Sequence, residues 1–241
     1  RRSVCMIPKI VHLSWKTKDL LDSDSPLVQE GMKKLVELNP DWDVQISTDD
    51  EVDSYLQAQL EPKIYELIAD KHVVQKTDLW RLIKLFTEGG VYVDIDRFVD
   101  TPLDDLVDED TKWVVPTCRD YDFSHDFMMT APQNPVYQMA ANLYVQRLQE
   151  GHKSIYFLGP QTYMHAITLV LTGEMINTDP GIEAFANIRE AMDAEGFIKT
   201  YREDPPYDTI IYRKGALGLN WEQEKRKLYA ESGLKHWSGD W

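Results

Sequence analysis

A helical periodicity that stops at a glycine pair and resumes as a short apolar strand ending in two aspartates constrains this chain more than any other stretch. It occupies residues 76–100, KTDLWRLIKLFTEGGVYVDIDRFVD. Leu79, Leu82, Ile83, Leu85 and Phe86 recur at the spacing of one helix face, and Asp78 and Arg81 stand three residues apart, within ion-pairing reach. Gly89 and Gly90 stop the helix, because glycine takes positive φ without a steric cost. Val91, Tyr92 and Val93 are β-branched or aromatic and too few for another helix, so they predict a strand of a covered sheet. Asp94 and Asp96 then fall at the C-terminal end of that strand, where ligands of open α/β sheets collect. Period-two alternation predicts both carboxylates on one side and Ile95 on the other, able to share a hard cation with a phosphate-bearing ligand.

The flanking sequence supplies the rest of an α/β architecture. Residues 7–15, IPKIVHLSW, predict a first strand, and Ser25-Pro26 predicts an N-cap and first helical residue of a helix that runs to about Leu38 before Asn39-Pro40 ends it. Residues 42–46 predict a second strand, which closes a βαβ unit. Thr48, Asp49 and Asp50 predict the start of a further helix, and residues 55–69 a mostly exposed one that feeds the helix carrying Asp78 and Arg81. Beyond Asp96, residues 97–103 predict a strand leaving the site and a proline-marked turn. The acidic run within 104–110 reads as a solvated loop, since it lacks the spacing and the glycine of a calcium-binding loop. Residues 113–116 and 125–129 predict two more strands, 135–149 and 164–171 helices, and 172–212 a helix, polar turns and a strand at 209–212.

Composition limits the function classes. A net charge of −15 disfavours a nucleic-acid partner, whose phosphates need lysine and arginine, but it leaves room for a small phosphate ligand bridged by a cation. Cys5 and Cys118 are too few for a disulfide framework, and no C-x-x-C occurs. No apolar run approaches the roughly 18–20 residues of a membrane span. The first residues, Arg1-Arg2, carry no secretory apolar segment, and no N-x-[ST] sequon is present, so a cytoplasmic setting is expected. A Golgi lumen stays open if an N-terminal anchor has been removed.

The string Thr77-Asp78-x-x-Arg81, an apolar helix, then Gly89-Gly90-Val91-Tyr92-x-Asp94-x-Asp96 resembles the sugar-nucleotide site of family 32 glycosyltransferases, and more distantly the glucosylating clostridial toxins. The opening strand with Trp15, the Gly159-Pro160 turn and the closing HWSGDW of residues 236–241 resemble further family segments. The resemblance implies an α/β fold of the GT-A type, a Rossmann-like mixed sheet flanked by helices, as one domain over 1–241. Residues 1–100 would form the nucleotide-sugar half, and 101–241 the acceptor half with a tail that closes the site.

It also implies roles. Asp96 would bind the cation and Asp94 would be shared between cation, ribose and sugar. Asp78 and Arg81 would hold donor-sugar hydroxyls, and Asp126 would lie on the acceptor side of the donor sugar, with His125 a weaker candidate there. His236 would complete the metal site, Trp241 would cover the diphosphate, and Mn²⁺ would be the cation, with Mg²⁺ the alternative. Trp15 has two readings, a stacking platform for the base or a core aromatic. His12 is either a loop support or a buried, hydrogen-bonded histidine, and Asp49 or Asp50 either meets the ribose or merely caps a helix.

The implied activity is metal-dependent transfer of a hexose or N-acetylhexosamine from a UDP- or GDP-sugar to a glycan, lipid-linked or protein acceptor, with retention and an α-linked product. Two rivals remain: a non-catalytic sugar-nucleotide or glycan-binding module, and a D-x-D phosphatase. Against the phosphatase, Arg97-Phe98 stands where such enzymes carry Gly-Thr or similar.

Overall fold

The computed structural model describes residues 6–172, apart from 24, 98, 100, 108–110, 120 and 121, together with 197–200, 209–212, 229 and 230. Strand β1 (Ile10–Ser14), helix α1 (Pro26–Leu38) and strand β2 (Asp43–Ser47) form the expected βαβ unit, with β1 and β2 parallel. Thr48 closes a capping box with Glu51 at the start of α2 (Asp49–Gln59). The helix expected over residues 55–69 is two helices, because Pro62 opens a new one, α3 (Pro62–Ile68).

Helix α4 (Val73–Glu88) ends at Gly89, whose φ of 68° continues into Gly90 at 94° and starts β3 (Gly90–Val93). A side chain at Gly90 would place its Cβ 2.5 Å from the Ile10 carbonyl, so the pair both turns the chain and lets β3 lie against β1. His12, in β1, is buried and donates from Nε2 to the Gly89 carbonyl at 2.9 Å, which fixes the turn from beneath. Burial holds its imidazole below the usual range, and therefore neutral.

Strands β4 (Trp113–Arg119), β5 (Asp122–Phe123) and β6 (Phe127–Thr130) follow, then α5 (Pro135–Gln149), α6 (Ile155–Leu158), α7 (Pro160–Thr172), β7 (Phe197–Thr200) and β8 (Thr209–Tyr212). The sheet runs β2-β1-β3-β6-β4-β8-β7, with β5 beside β4. Along β3 the side chains alternate as a covered strand requires: Val91 and Val93 pack with α1 through Met32 and Leu35, and Tyr92 joins Trp80, Leu82 and Leu85 of α4 on the other face. The sheet is thus flanked by helices on both faces.

Among the described residues of 97–103 the predicted strand does not form. The Arg97 N–H donates to the Asp94 carbonyl at 2.9 Å, a tight turn, and a short 3₁₀ helix follows at Leu103–Leu106. The strict alternation expected of Asp94 and Asp96 therefore ends at Val93, and the aspartates sit on that turn.

Because β6 is antiparallel to β3, its N-terminal end lies at the same sheet edge as the C-terminal ends of the parallel pair β1 and β3. The Asp94 N–H donates to the Asp126 carbonyl at 2.9 Å across that edge. Trp15, Asp94, Asp96, His125 and Asp126 are thereby gathered at one end of the sheet.

Candidate functional site

Arg81 organises this edge. It lies one helical turn after Asp78 on α4 and is 5% exposed. Its Nη2 meets Asp78 Oδ1 at 2.8 Å, while Nη1 reaches Asp94 Oδ1 at 3.2 Å and donates to the His125 carbonyl at 2.8 Å. The guanidinium also lies over the Tyr92 ring, 4.3 Å from its centroid. One rigid fork so joins the helix, the end of β3 and the start of β6, a task that a lysine point charge could not perform. Burial opposes its charge, yet Tyr92, Asp94, Asp78 and Asp126 outweigh that cost and raise its pKa.

Asp94 is held from two sides, by Arg81 and by the Tyr92 hydroxyl, which donates to the same Oδ1. Its side chain keeps 28% of its surface, so the carboxylate is fixed but open. Asp96 is nearly buried and its Oδ2 accepts from the Tyr229 hydroxyl at 3.0 Å. Burial first, then the charge of Asp96 and its hydrogen bond, keep that phenol protonated. Asp126 accepts from Ser124 and lies 3.4 Å from the Arg97 guanidinium, whose side chain is fully buried. The turn between β3 and the 3₁₀ helix is therefore clamped at Asp94, Asp96 and Arg97 in turn.

Asp78 lies deeper, 2% exposed, and the Gly159 backbone rests on it: a Cβ there would come 2.1 Å from Asp78 Oδ2. Among the described residues that oxygen has no hydrogen-bond partner. Desolvation, against the pull of Arg81, pushes the Asp78 carboxyl up to about 7, and Asp94 adds to the rise. A folded-state value above the unfolded one means that the native protein binds the proton more tightly, so this group's contribution to stability falls as pH rises from about 4 to about 7. Asp78→Asn is expected to remove that downward slope, and urea midpoints measured across the interval check it; a slope identical to wild type would show that Asp78 titrates normally.

His125 is buried beside this pair, 3.6 Å from Asp78 Oδ1 and 3.5 Å from Arg81 Nη1, and among the described residues its Nε2 has no hydrogen-bond partner. Desolvation, then the charge of Arg81, hold it well below the usual range and neutral. Trp15 stands at the end of β1, part-buried, its backbone N–H donating to the Ser47 carbonyl at 3.0 Å and its side chain packed on the α1 side of the core. Asp49 and Asp50 are exposed in the first turn of α2, where the Thr48 capping box accounts for the local sequence. His236 and Trp241 lie outside the described residues.

Sequence reasoning thus named Asp78, Arg81, Asp94, Asp96 and Asp126, all of which the fold brings to one edge. It missed Ser124, the buried Arg97, the Tyr92 hydroxyl and Tyr229. Gly159 was visible only as a turn, because its contact with Asp78 spans eighty-one positions of chain.

Among the described residues no group of three or more His, Cys, Asp or Glu converges as a metal site. Asp94 and Asp96 nevertheless offer the donor chemistry that a hard cation requires. Mg²⁺-type sites are commonly built from about one or two carboxylates, with ligand phosphates and water completing the shell.

Residues 25–113 match the family described as "Glycosyltransferase sugar-binding region containing DXD motif". The inositol phosphoceramide mannosyltransferases 1 and 2 of Schizosaccharomyces pombe are 26% identical over 138 residues and 29% identical over 163 residues, covering 57% and 66% of this chain. The chain spans less than half the length of these relatives, 43% of each. Among solved structures, the PaToxG glycosyltransferase superposes with a TM-score of 0.54 at 20% identity over 92% of this chain and 84% of its own, which shows a fold of the GT-A type. No helix among the described residues is long and apolar enough to cross a membrane.

Proposed function

We propose, from the match of residues 25–113 to the DXD-containing glycosyltransferase sugar-binding region, that the chain is a glycosyltransferase of the family 32 type that transfers a hexose or N-acetylhexosamine from a nucleoside diphosphate sugar to a glycan, lipid-linked or protein acceptor. Transfer would proceed with retention, giving an α-linked product. The observation that carries the reading is the clamp of Asp78, Asp94 and the start of β6 on one buried guanidinium, at the sheet edge where α/β folds bind ligands.

Each residue then has a task. Asp94 and Asp96 hold a divalent cation against the diphosphate, Mn²⁺ in the first instance. Bound there, such an ion supplies Lewis-acid stabilisation of charge on the leaving diphosphate, worth several kcal/mol. Arg81 fixes Asp94, and Asp78, buried beneath Gly159, holds Arg81 in turn; contact of Asp78 and Arg81 with donor-sugar hydroxyls, which would orient the anomeric carbon, is assigned by family resemblance. Trp15, at the end of β1, provides a ring for the base, and Asp126 borders the acceptor side. His236 and Trp241 are assigned to cation and diphosphate by family resemblance. On the same basis residues 1–100 form the donor half and 101–241 the acceptor half of one domain.

The mannosyltransferase relatives make mannose the first sugar to test and inositol phosphoceramide the first acceptor. The chain is to be incubated with GDP-mannose and a panel of UDP-hexoses and UDP-N-acetylhexosamines, with Mn²⁺, Mg²⁺ or EDTA. Consumption of one donor, abolished by EDTA, is the expected result. Metal-dependent nucleotide binding with no turnover on any acceptor would favour a binding module, and the absence of both would overturn the reading.

A further inference from the structure

We infer that Tyr229 is a positioning residue of the cation site, its hydroxyl holding the Asp96 carboxylate in the orientation that metal binding needs. The inference deepens the proposal that Asp94 and Asp96 carry the cation, and rests on it. Three observations support it.

The Tyr229 hydroxyl donates to Asp96 Oδ2 at 3.0 Å, a contact across 133 positions of chain, so the bond is made only in the folded protein. Asp96 sits on a turn beyond β3, outside the sheet ladder. The other two polar anchors of that turn are already fixed by neighbours, Asp94 by Arg81 and Tyr92, and Arg97 by Asp126. Tyr229 gives Asp96 the corresponding restraint.

The stereochemistry suits support rather than blockade. An ionised carboxylate has two oxygens with about four lone-pair sites, and a phenol donor occupies one of them. A single phenol donor on Oδ2 therefore does not by itself block a cation. Carboxylates that ligate metals are themselves ordinarily hydrogen-bonded by outer groups, and loss of such a group costs about 10–100-fold in metal affinity or activity. Tyr229 also lies outside residues 25–113, so the site would draw a supporting group from beyond the segment that carries the DXD signature.

The test is Tyr229→Phe, which keeps the ring and removes only the hydroxyl. Mn²⁺ binding is measured by the electron paramagnetic resonance signal of free Mn²⁺, with the metal alone and with saturating UDP or GDP, and near-UV circular dichroism checks that the variant is folded. The expected result is a Mn²⁺ dissociation constant raised about 10–100-fold. Turnover should recover toward the wild-type kcat when Mn²⁺ is raised in proportion, which a general loss of structure would not allow. Equal Mn²⁺ affinity in the two proteins would overturn the inference and leave the functional proposal standing. Tighter binding by the variant would also overturn it, because the hydroxyl would then compete with the cation. If the wild-type chain bound no Mn²⁺ with either nucleotide, the cation-site reading would fail and this inference with it.

Discussion

Arg81→Met should lower stability by about 3–5 kcal/mol near neutral pH, the usual cost of removing one partner of a buried charge cluster. Methionine preserves much of the side-chain volume, so packing changes little. What disappears is the counter-charge for Asp78 and Asp94 and the donor to the His125 carbonyl. Asp78 already titrates at about 7 in the intact cluster, and without Arg81 it can escape part of the penalty by taking up a proton. The loss should therefore be greater at about pH 8 than at about pH 5.5, where Asp78 is already mostly protonated. Urea unfolding measured at both values checks the size and the sign, a shifted midpoint with unchanged slope indicating a true stability change. A loss below about 1 kcal/mol at the higher pH would mean that the cluster is no more than a surface ion pair. Arg81→Lys should fall between, since one ammonium cannot span Asp78, Asp94 and the carbonyl together.

Much of this cluster could be read in the sequence because its signals are local. The three-residue spacing of Asp78 and Arg81, the glycine pair with its positive φ, and the short run Val91-Tyr92-Val93 each depend on near neighbours, and each appears where the spacing puts it. The same holds for the cap at Thr48. Pro62, which divides the helix expected over 55–69, was an equally local signal passed over. What the sequence could not show is the pairing of β6 between β3 and β4, a long-range and antiparallel choice that no periodicity encodes. That pairing delivers the His125 carbonyl to Arg81 and Asp126 to Arg97. Alternation alone carried the strand three residues too far, through Asp96, because nothing local reveals that the Arg97 N–H turns back to the Asp94 carbonyl. Tyr229 was unreadable for a similar reason: a tyrosine in an unremarkable stretch gains its meaning only from the carboxylate it meets.

Asp96→Asn should cost about a hundredfold to ten-thousandfold in kcat/KM for glycosyl transfer, corresponding to the several kcal/mol that a bound cation contributes to a leaving diphosphate. The substitution is nearly isosteric, and the amide oxygen can still accept from Tyr229, so the turn should keep its shape. Stability should hold or rise slightly, since a nearly buried carboxylate becomes neutral. This separates Asp96 from Arg81, for which folding and activity should fall together. Removing metal from the wild-type protein with EDTA should reproduce most of the loss, and added Mn²⁺ should restore the wild type far better than the variant. If Asp96→Asn kept more than about a tenth of the wild-type rate under saturating Mn²⁺, less than about 1.4 kcal/mol would be at stake. The cation would then have to be held elsewhere, and the open carboxylate of Asp94 would become the group to replace next.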